Sequence, residues 1–359
     1  MKSSRALLGL ALVAALFAAR PATADANDDA ADPATLTRSF ILHVPATEPP
    51  AAGRPLVVYL HGCIQTAAQA EQATHLSELA DREDFVVLYP QQNVTPGSSA
   101  PLVDGNGIGC WNWFLPEHQR RDEGEPAAIA ALTRHVVATE AVDPTRVYVA
   151  GISAGADMAV ILGATYPDLY AAVGAVEGCP YATCSDVTGV RAHAAMGERV
   201  RVVPMFAVQG TADALNNYAM GQSLVQSWVG LSDLADDGAR NGSIVLSKSS
   251  TDGYEELAGA QPGSGDPCVR NQNWPCVGGV LGIDRYPTTV NHYAEESFCV
   301  VIEDWTVHLM SHGQPNAPSG PFTDPLGPDI TTPMWEFFKR HKAESRCAVE
   351  PEVGVEPTT

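Results

Sequence analysis

The chain has 359 residues, with 42 acidic against 21 basic side chains and a formal charge of −21. That excess argues against nucleic acid or anionic lipid as partners, because no compact basic patch offsets the field. The length exceeds an average domain but suits one α/β unit with insertions.

Residues 1–24 read as an export signal. Lys2 and Arg5 form a basic start, residues 6–19 are apolar, and Ala22-Thr23-Ala24 offers a small-residue cleavage site. The apolar run is shorter than the roughly 20 residues that span a bilayer. An extracellular or periplasmic protein is therefore expected, with no membrane segment. After an acidic leader, residues 38–44 alternate as an edge strand. Residues 55–60, Pro-Leu-Val-Val-Tyr-Leu, are the continuous apolar run of a strand buried on both faces. A helix is predicted over 67–83, a buried strand over 85–89, a helix over 125–138 and a strand over 146–150. Further strands follow at 171–176, 202–208 and 299–307, with helices at 221–229 and 332–341. This alternation predicts a mostly parallel sheet with helices on both faces. Residues 35–345 then form one domain. Residues 230–298, rich in Gly, Asp, Pro and Asn, read as an insertion able to overhang the ligand-binding edge. Residues 346–359 read as a disordered acidic tail.

The most informative stretch is Val147-Tyr-Val-Ala-Gly-Ile-Ser153-Ala-Gly155. An apolar strand runs directly into Gly-x-Ser-x-Gly, and helix-compatible residues follow, which is the strand–turn–helix context of a nucleophile elbow. So tight a turn needs flanks nearly free of side chains, hence Gly151, Ala154 and Gly155. Ser153 is the expected nucleophile. Its base and acid should lie past the carboxyl ends of later strands. Residues 202–208 lead through Gln209-Gly210-Thr211-Ala212 to Asp213, the expected acid. The last strand leads to His308-Leu309-Met310-Ser311-His312. His312, on the loop, is the expected base, and His308, at the strand end, a structural histidine. The order Ser, Asp, His is that of α/β-hydrolases. Oxyanion donors are expected from the N–H groups of Ala154, after the nucleophile, and Cys63, in the His61-Gly62-Cys63 turn. His61 should brace that turn.

Eight cysteines in an exported chain favour disulfides. Cys179 with Cys184, and Cys268 with Cys276, are near enough in sequence to bridge within one loop. Cys63, Cys110, Cys299 and Cys347 are left with their pairing open. No Cys/His group has zinc spacing, and the Asp104-Gly105-Asn106-Gly107 run reads as a turn rather than a calcium loop. No metal and no cofactor is expected.

Leu60-His61-Gly62-Cys63-Ile64-Gln65, Cys110-Trp111-Asn112-Trp113-Phe114, the elbow with Tyr166-Pro167-Asp168, Gly-Thr-Ala-Asp213 and the His312 segment occur in one order. Together they resemble the poly(3-hydroxybutyrate) depolymerase family of secreted esterases, with its feruloyl and acetylxylan esterase relatives. The resemblance spans about residues 38–342. It implies an α/β-hydrolase fold, Ser153, Asp213 and His312 as a triad, and a disulfide joining Cys63 to Cys110. The chain departs from the family in carrying Ser311-His312-Gly313-Gln314, where the family usually has Gly before the histidine and Ala-Trp after it.

Trp111 and Trp113, with Trp274 in the insertion, are the candidate substrate contacts; core packing is the alternative for the first two. The expected activity is hydrolysis of aliphatic polyester or oligoester bonds by a monomer. Carbohydrate esterase activity on feruloyl or acetyl groups is the alternative, and a catalytically silent binding protein the reading from another class.

Overall fold

The computed structural model describes residues 38–94, 105–252, 285–295, 299–318, 320 and 322–343. In chain order the elements are β1 (Phe40–His43), β2 (Arg54–Leu60), α1 (Ala67–Thr74), α2 (Leu76–Glu83), β3 (Val86–Pro90), α3 (Gly124–Thr139), β4 (Val142–Ile152) and α4 (Ala154–Thr165). There follow β5 (Ala172–Val176), the single distorted turn α5 (Tyr181–Cys184), α6 (Val190–Met196), β6 (Met205–Gly210) and α7 (Tyr218–Asp237). Last come β7 (Val245–Asp252), β8 (Thr288–Ala294), β9 (Val300–Val307), the short pair β10 (Gln314–Pro315) and β11 (Thr323–Asp324), and α8 (Thr331–Lys339).

Nine strands form one sheet in the order β1-β3-β2-β4-β5-β6-β9-β8-β7. The six from β3 to β9 run parallel, and β1, β8 and β7 add antiparallel edges. Every residue of β2, β3, β5 and β6 is buried, which is why these segments read as unbroken apolar runs. One face packs on Ile129, Met158, Leu162, Leu224 and Trp228 of α3, α4 and α7. The other packs on Leu76, Leu79, Met334, Trp335 and Phe338 of α2 and α8. Gly174 in β5 makes room for this second layer, since a Cβ there would lie 2.9 Å from the Met334 sulfur.

One expectation is corrected. The helix predicted over 67–83 is two helices, broken at His75 with φ 53°. Thr66 and Gln69 start the first with a reciprocal capping box, and the Thr331 hydroxyl donates to the Thr74 carbonyl at its end. Of the segment 230–298, read as an insertion, the structure describes 230–252 and 285–295. Its first eight residues continue α7, which stops at Gly238 with φ 83°. The strands β7 and β8 then pair with each other and with β9, so they widen the sheet in its own plane. Cys268, Trp274 and Cys276 lie outside the described residues, as do the signal 1–24 and the tail 346–359. Among the described residues no helix is long and apolar enough to cross a membrane.

Candidate active site

The elbow forms where β4 meets α4. Ser153 has φ 55° and ψ −123°, a conformation that costs a non-glycine residue on the order of 1–3 kcal/mol and persists only where its surroundings enforce it. They do so from both sides. The Ser153 N–H donates to Val176 O of β5 at 2.9 Å, and its carbonyl accepts Asp157 N–H from the first turn of α4. A Cβ on Gly155 would lie 2.1 Å from Leu60 O, and one on Gly151 2.5 Å from the Gly155 backbone. Ser153 is itself only half-buried, at the positive end of a wholly buried helix.

The neighbouring strands deliver the other groups. β6 ends at Gly210, and the turn beyond it presents Asp213. β9 ends at Val307, and the loop beyond it presents His312. His312 Nδ1 lies 2.8 Å from Asp213 Oδ2, and both residues are buried. Asp213 is held by several donors. Its Oδ1 accepts the N–H groups of Leu215 and Asn216 at 2.8 and 3.0 Å, and its Oδ2 also accepts Gln209 Nε2 at 3.2 Å. An imidazole that donates its Nδ1–H to this carboxylate would keep Nε2 as its basic nitrogen. His308 instead meets Thr289 Oγ1 at 2.9 Å on the adjoining strand.

A third side chain shares this centre. Glu177, the first residue after β5, is fully buried and has φ 54°. Its Oε2 is 3.1 Å from His312 Nδ1 and accepts the Gly313 N–H at 2.6 Å. Burial pushes its carboxyl well above the usual range, and the neighbouring Asp213 pushes the same way. Sequence reading missed Glu177, although the strand-end logic that selected Asp213 points equally to the residue closing β5. Ligand atoms of Glu177, Asp213 and His312 lie within 4.8 Å of one another, close enough for a cation. The 2.8 Å Nδ1–Oδ2 contact has hydrogen-bond length, so proton sharing describes the cluster better.

The loop after β2 closes the site. A Cβ on Gly62 would come within 3.5 Å of the Ser153 Cβ, so this backbone runs against the nucleophile. Gly62 N–H donates to Gln65 Oε1 at 2.8 Å, and Ile64 N–H to Ile108 O at 3.0 Å. Cys63 is disulfide-bonded to Cys110. Among the described residues no internal acceptor takes the N–H of Cys63 or of Ala154. His61 is locked in the core. Its Nδ1 meets Gly62 O at 2.8 Å, its Nε2 accepts Gln92 N–H at 3.0 Å, and burial lowers its pKa to about 4. It is a neutral brace. Asn106 organises the turn after it, accepting from Ile108 and Cys110 N–H and donating to Asn112 Oδ1. Cys179 and Cys184 form a second disulfide, and Cys299 is bonded as well.

The candidate substrate contacts need correction at Trp111. It is fully buried, and its indole N–H donates to His61 O at 2.9 Å, so it supports the loop from behind instead of facing substrate. Trp113 is half-buried and edge-on to exposed Phe114, with centroids 5.6 Å apart, and half-buried Phe322 packs edge-on against His312 with centroids 5.8 Å apart. A cavity of about 540 Å³ lined by Gln119, Arg120, Arg121, Tyr181 and Arg191 includes none of Ser153, Asp213 and His312, and we assign it no part in the chemistry.

A mostly parallel sheet, a strained serine between strand and helix, and a His–Asp pair past later strands define an α/β-hydrolase fold. The sequence pattern described as esterase PHB depolymerase matches residues 38–230, and the chain belongs to that family. Poly(3-hydroxyalkanoate) depolymerase C of Paucimonas lemoignei is 32% identical over 276 residues, which cover 77% of this chain and 58% of that protein. An acetylxylan esterase of Coprinopsis cinerea is 34% identical over 160 residues, 41% of this chain and 40% of that protein. The chain therefore spans about half the length of these relatives. The solved acetyl xylan esterase from Aspergillus awamori shares the fold with a TM-score of 0.55 at 16% identity, covering 85% of this chain and 94% of that one.

Proposed function

We propose that the chain is a secreted serine esterase that hydrolyses aliphatic ester bonds of the 3-hydroxybutyrate type in polyesters or their oligomers. The observation that carries the reading is the buried 2.8 Å contact between His312 Nδ1 and Asp213 Oδ2, on the sheet edge where Ser153 stands strained and accessible. Ser153 Oγ attacks the ester carbonyl while His312 Nε2 takes its proton, and Asp213 holds the imidazole and offsets its charge. The N–H groups of Cys63 and Ala154 receive the oxyanion, each contributing about 3–4 kcal/mol to the transition state. The alcohol leaves with the proton returned by His312, and water activated by the same nitrogen cleaves the acyl-enzyme. Export is supported by the signal-like residues 1–24 and by the disulfides.

The first relative, named for a poly(3-hydroxyalkanoate), favours the polyester substrate. The second, named for acetylxylan, favours carbohydrate ester cleavage as the other reading. Purified full-length protein should be assayed on hydroxybutyrate trimer, acetylated xylan and methyl ferulate at equal ester concentration. Ser153→Ala should lose several orders of magnitude on every substrate it cleaves, with unchanged folding. A kcat/KM at least tenfold higher on the carbohydrate or ferulate ester than on the trimer, about 1.4 kcal/mol, would overturn the polyester assignment. An active Ser153→Ala protein would overturn the serine mechanism.

A further inference from the structure

We propose that Glu177 is a second positioning acid for His312, sharing its Nδ1–H with Asp213 and able to replace Asp213 when that carboxylate is removed. The proposal rests on the reading of Ser153, His312 and Asp213 as one catalytic unit. Two successive strand ends, those of β5 and β6, each place a buried carboxyl at the same imidazole nitrogen, at 3.1 and 2.8 Å. Nothing in the packing of a sheet edge requires this. A buried carboxyl usually has each oxygen satisfied, yet Glu177 Oε1 has no partner, while Oε2 is spent on Gly313 and His312. A residue kept only to tie the 312–313 loop to β5 needs one acceptor, which an amide would supply without a second buried acid.

The groups around Glu177 fix its protonation. Asp213 from the β6 turn and Asp324 from β11 both disfavour its ionised form, and buried Tyr59 of β2 feels the carboxyl in turn. His312 is the only partner in this group able to carry positive charge. With Asp213 ionised, two adjacent carboxylates would face one imidazole, so Glu177 keeps its proton and acts through Oε2 as an acceptor. It then steadies the ring and the Gly313 backbone without adding charge. When Asp213 is changed to Asn, the largest like charge is gone. Glu177 releases its proton to solvent, and its carboxylate becomes the acceptor that holds Nδ1–H and offsets the imidazolium. No other atom changes hands.

The test is a cycle of Asp213→Asn, Glu177→Gln and the double variant, with Ser153→Ala as control, assayed by initial hydrolysis of p-nitrophenyl butyrate from pH 5 to 9. Removing the orienting acid of a triad with no reserve lowers kcat by about 10⁴-fold. Here Asp213→Asn should lose less than roughly 100-fold, and adding Glu177→Gln should remove at least tenfold more than Glu177→Gln removes from the wild type. The acid limb of the Asp213→Asn pH profile should lie above that of the double variant, because activity now waits on ionisation of Glu177. A merely structural glutamate would leave those limbs superimposed. A loss near 10⁴-fold in Asp213→Asn, or equal rates and limbs in the single and double variants, overturns the proposal. If variants carrying Glu177→Gln do not fold, the size of the Asp213→Asn loss decides alone, since that protein retains Glu177. Activity persisting in Ser153→Ala overturns the serine mechanism instead, and that outcome is read independently of the cycle.

Discussion

Breaking the Cys63–Cys110 bridge should weaken the fold and slow the chemistry by separable amounts. The bridge spans 47 residues and the Cys179–Cys184 bridge spans 5. Chain-entropy arguments give about 4 kcal/mol for a closed loop of the first length and about 2 kcal/mol for the second. Reducing agent would open every bridge at once, so paired substitutions are needed: Cys63→Ala with Cys110→Ala, and Cys179→Ala with Cys184→Ala. Equilibrium urea unfolding reads the stability difference, expected to be about 2 kcal/mol in the direction of the longer loop. The catalytic part follows from position. In the proposed mechanism Cys63 carries an oxyanion N–H, and its turn is also tied by Ile64 to Ile108 and by Trp111 to His61. The donor should therefore shift rather than vanish, lowering kcat by about tenfold rather than the 10²–10³-fold expected for complete loss. Equal destabilisation by both pairs would refute the loop-length reasoning. An unchanged kcat in the folded Cys63/Cys110 variant would refute the link between bridge and oxyanion donor.

Three further outcomes follow, two from local geometry and one from burial. Gly62→Ala should fold, with the midpoint of thermal unfolding lowered by only a few degrees, yet lose about tenfold or more in kcat. Its new Cβ sits 3.0 Å from Gln65 Oε1 and 3.5 Å from the Ser153 Cβ, and small misplacements near the reacting atoms are expensive. Gly155→Ala sets a Cβ 2.1 Å from Leu60 O, backbone against backbone, and should yield little folded protein in expression and circular dichroism. Glu177→Gln should grow more stable relative to the wild type as pH rises above about 4.5. Folded Glu177 keeps a proton that the unfolded chain releases, so the wild type loses stability through that window and the amide does not. His61 and His341, lowered by burial to about 4 and 3, act in the opposite sense but cancel in the comparison. Urea midpoints at pH 5 and pH 8 read the difference, and a constant gap would refute it.

The buried strands were legible because a parallel strand covered on both faces has to be apolar throughout, as 55–60 and 85–89 are. Boundaries shifted where the controlling contact was distant in sequence. Nothing near His75 marks a helix break; the Thr74 carbonyl is taken by Thr331, far along the chain. The strand β7 was invisible for a different reason. All eight of its residues are exposed, so Val245-Leu-Ser-Lys-Ser-Ser-Thr-Asp252 carries no core-facing alternation, and its pairing with β8 comes from backbone hydrogen bonds that composition does not encode.

At the site, legibility followed the same division between local and distant constraint. The elbow announced itself because its strain is satisfied by neighbours in sequence: Gly151 and Gly155 are the residues that would clash. Asp213 and His312 were selected by their place past a strand end, a rule of topology, and the structure sets them 2.8 Å apart. Trp111 was misjudged because an aromatic beside a catalytic loop reads alike whether it faces substrate or core; only its hydrogen bond to His61 O separates the two. Glu177 was passed over because Asp213 had already filled the acid's role, and a sequence argument stops at one candidate per role. The fold has no such rule. Adjacent parallel strands end at one edge in register, Val176 beside Val208 and Gly210 beside Val307, so polar residues just beyond them converge whether or not the reaction needs each one. Where two carboxyls meet one imidazole in a buried site, their proton count becomes a property of the group, and under the proposal the chemistry of His312 answers to both acids.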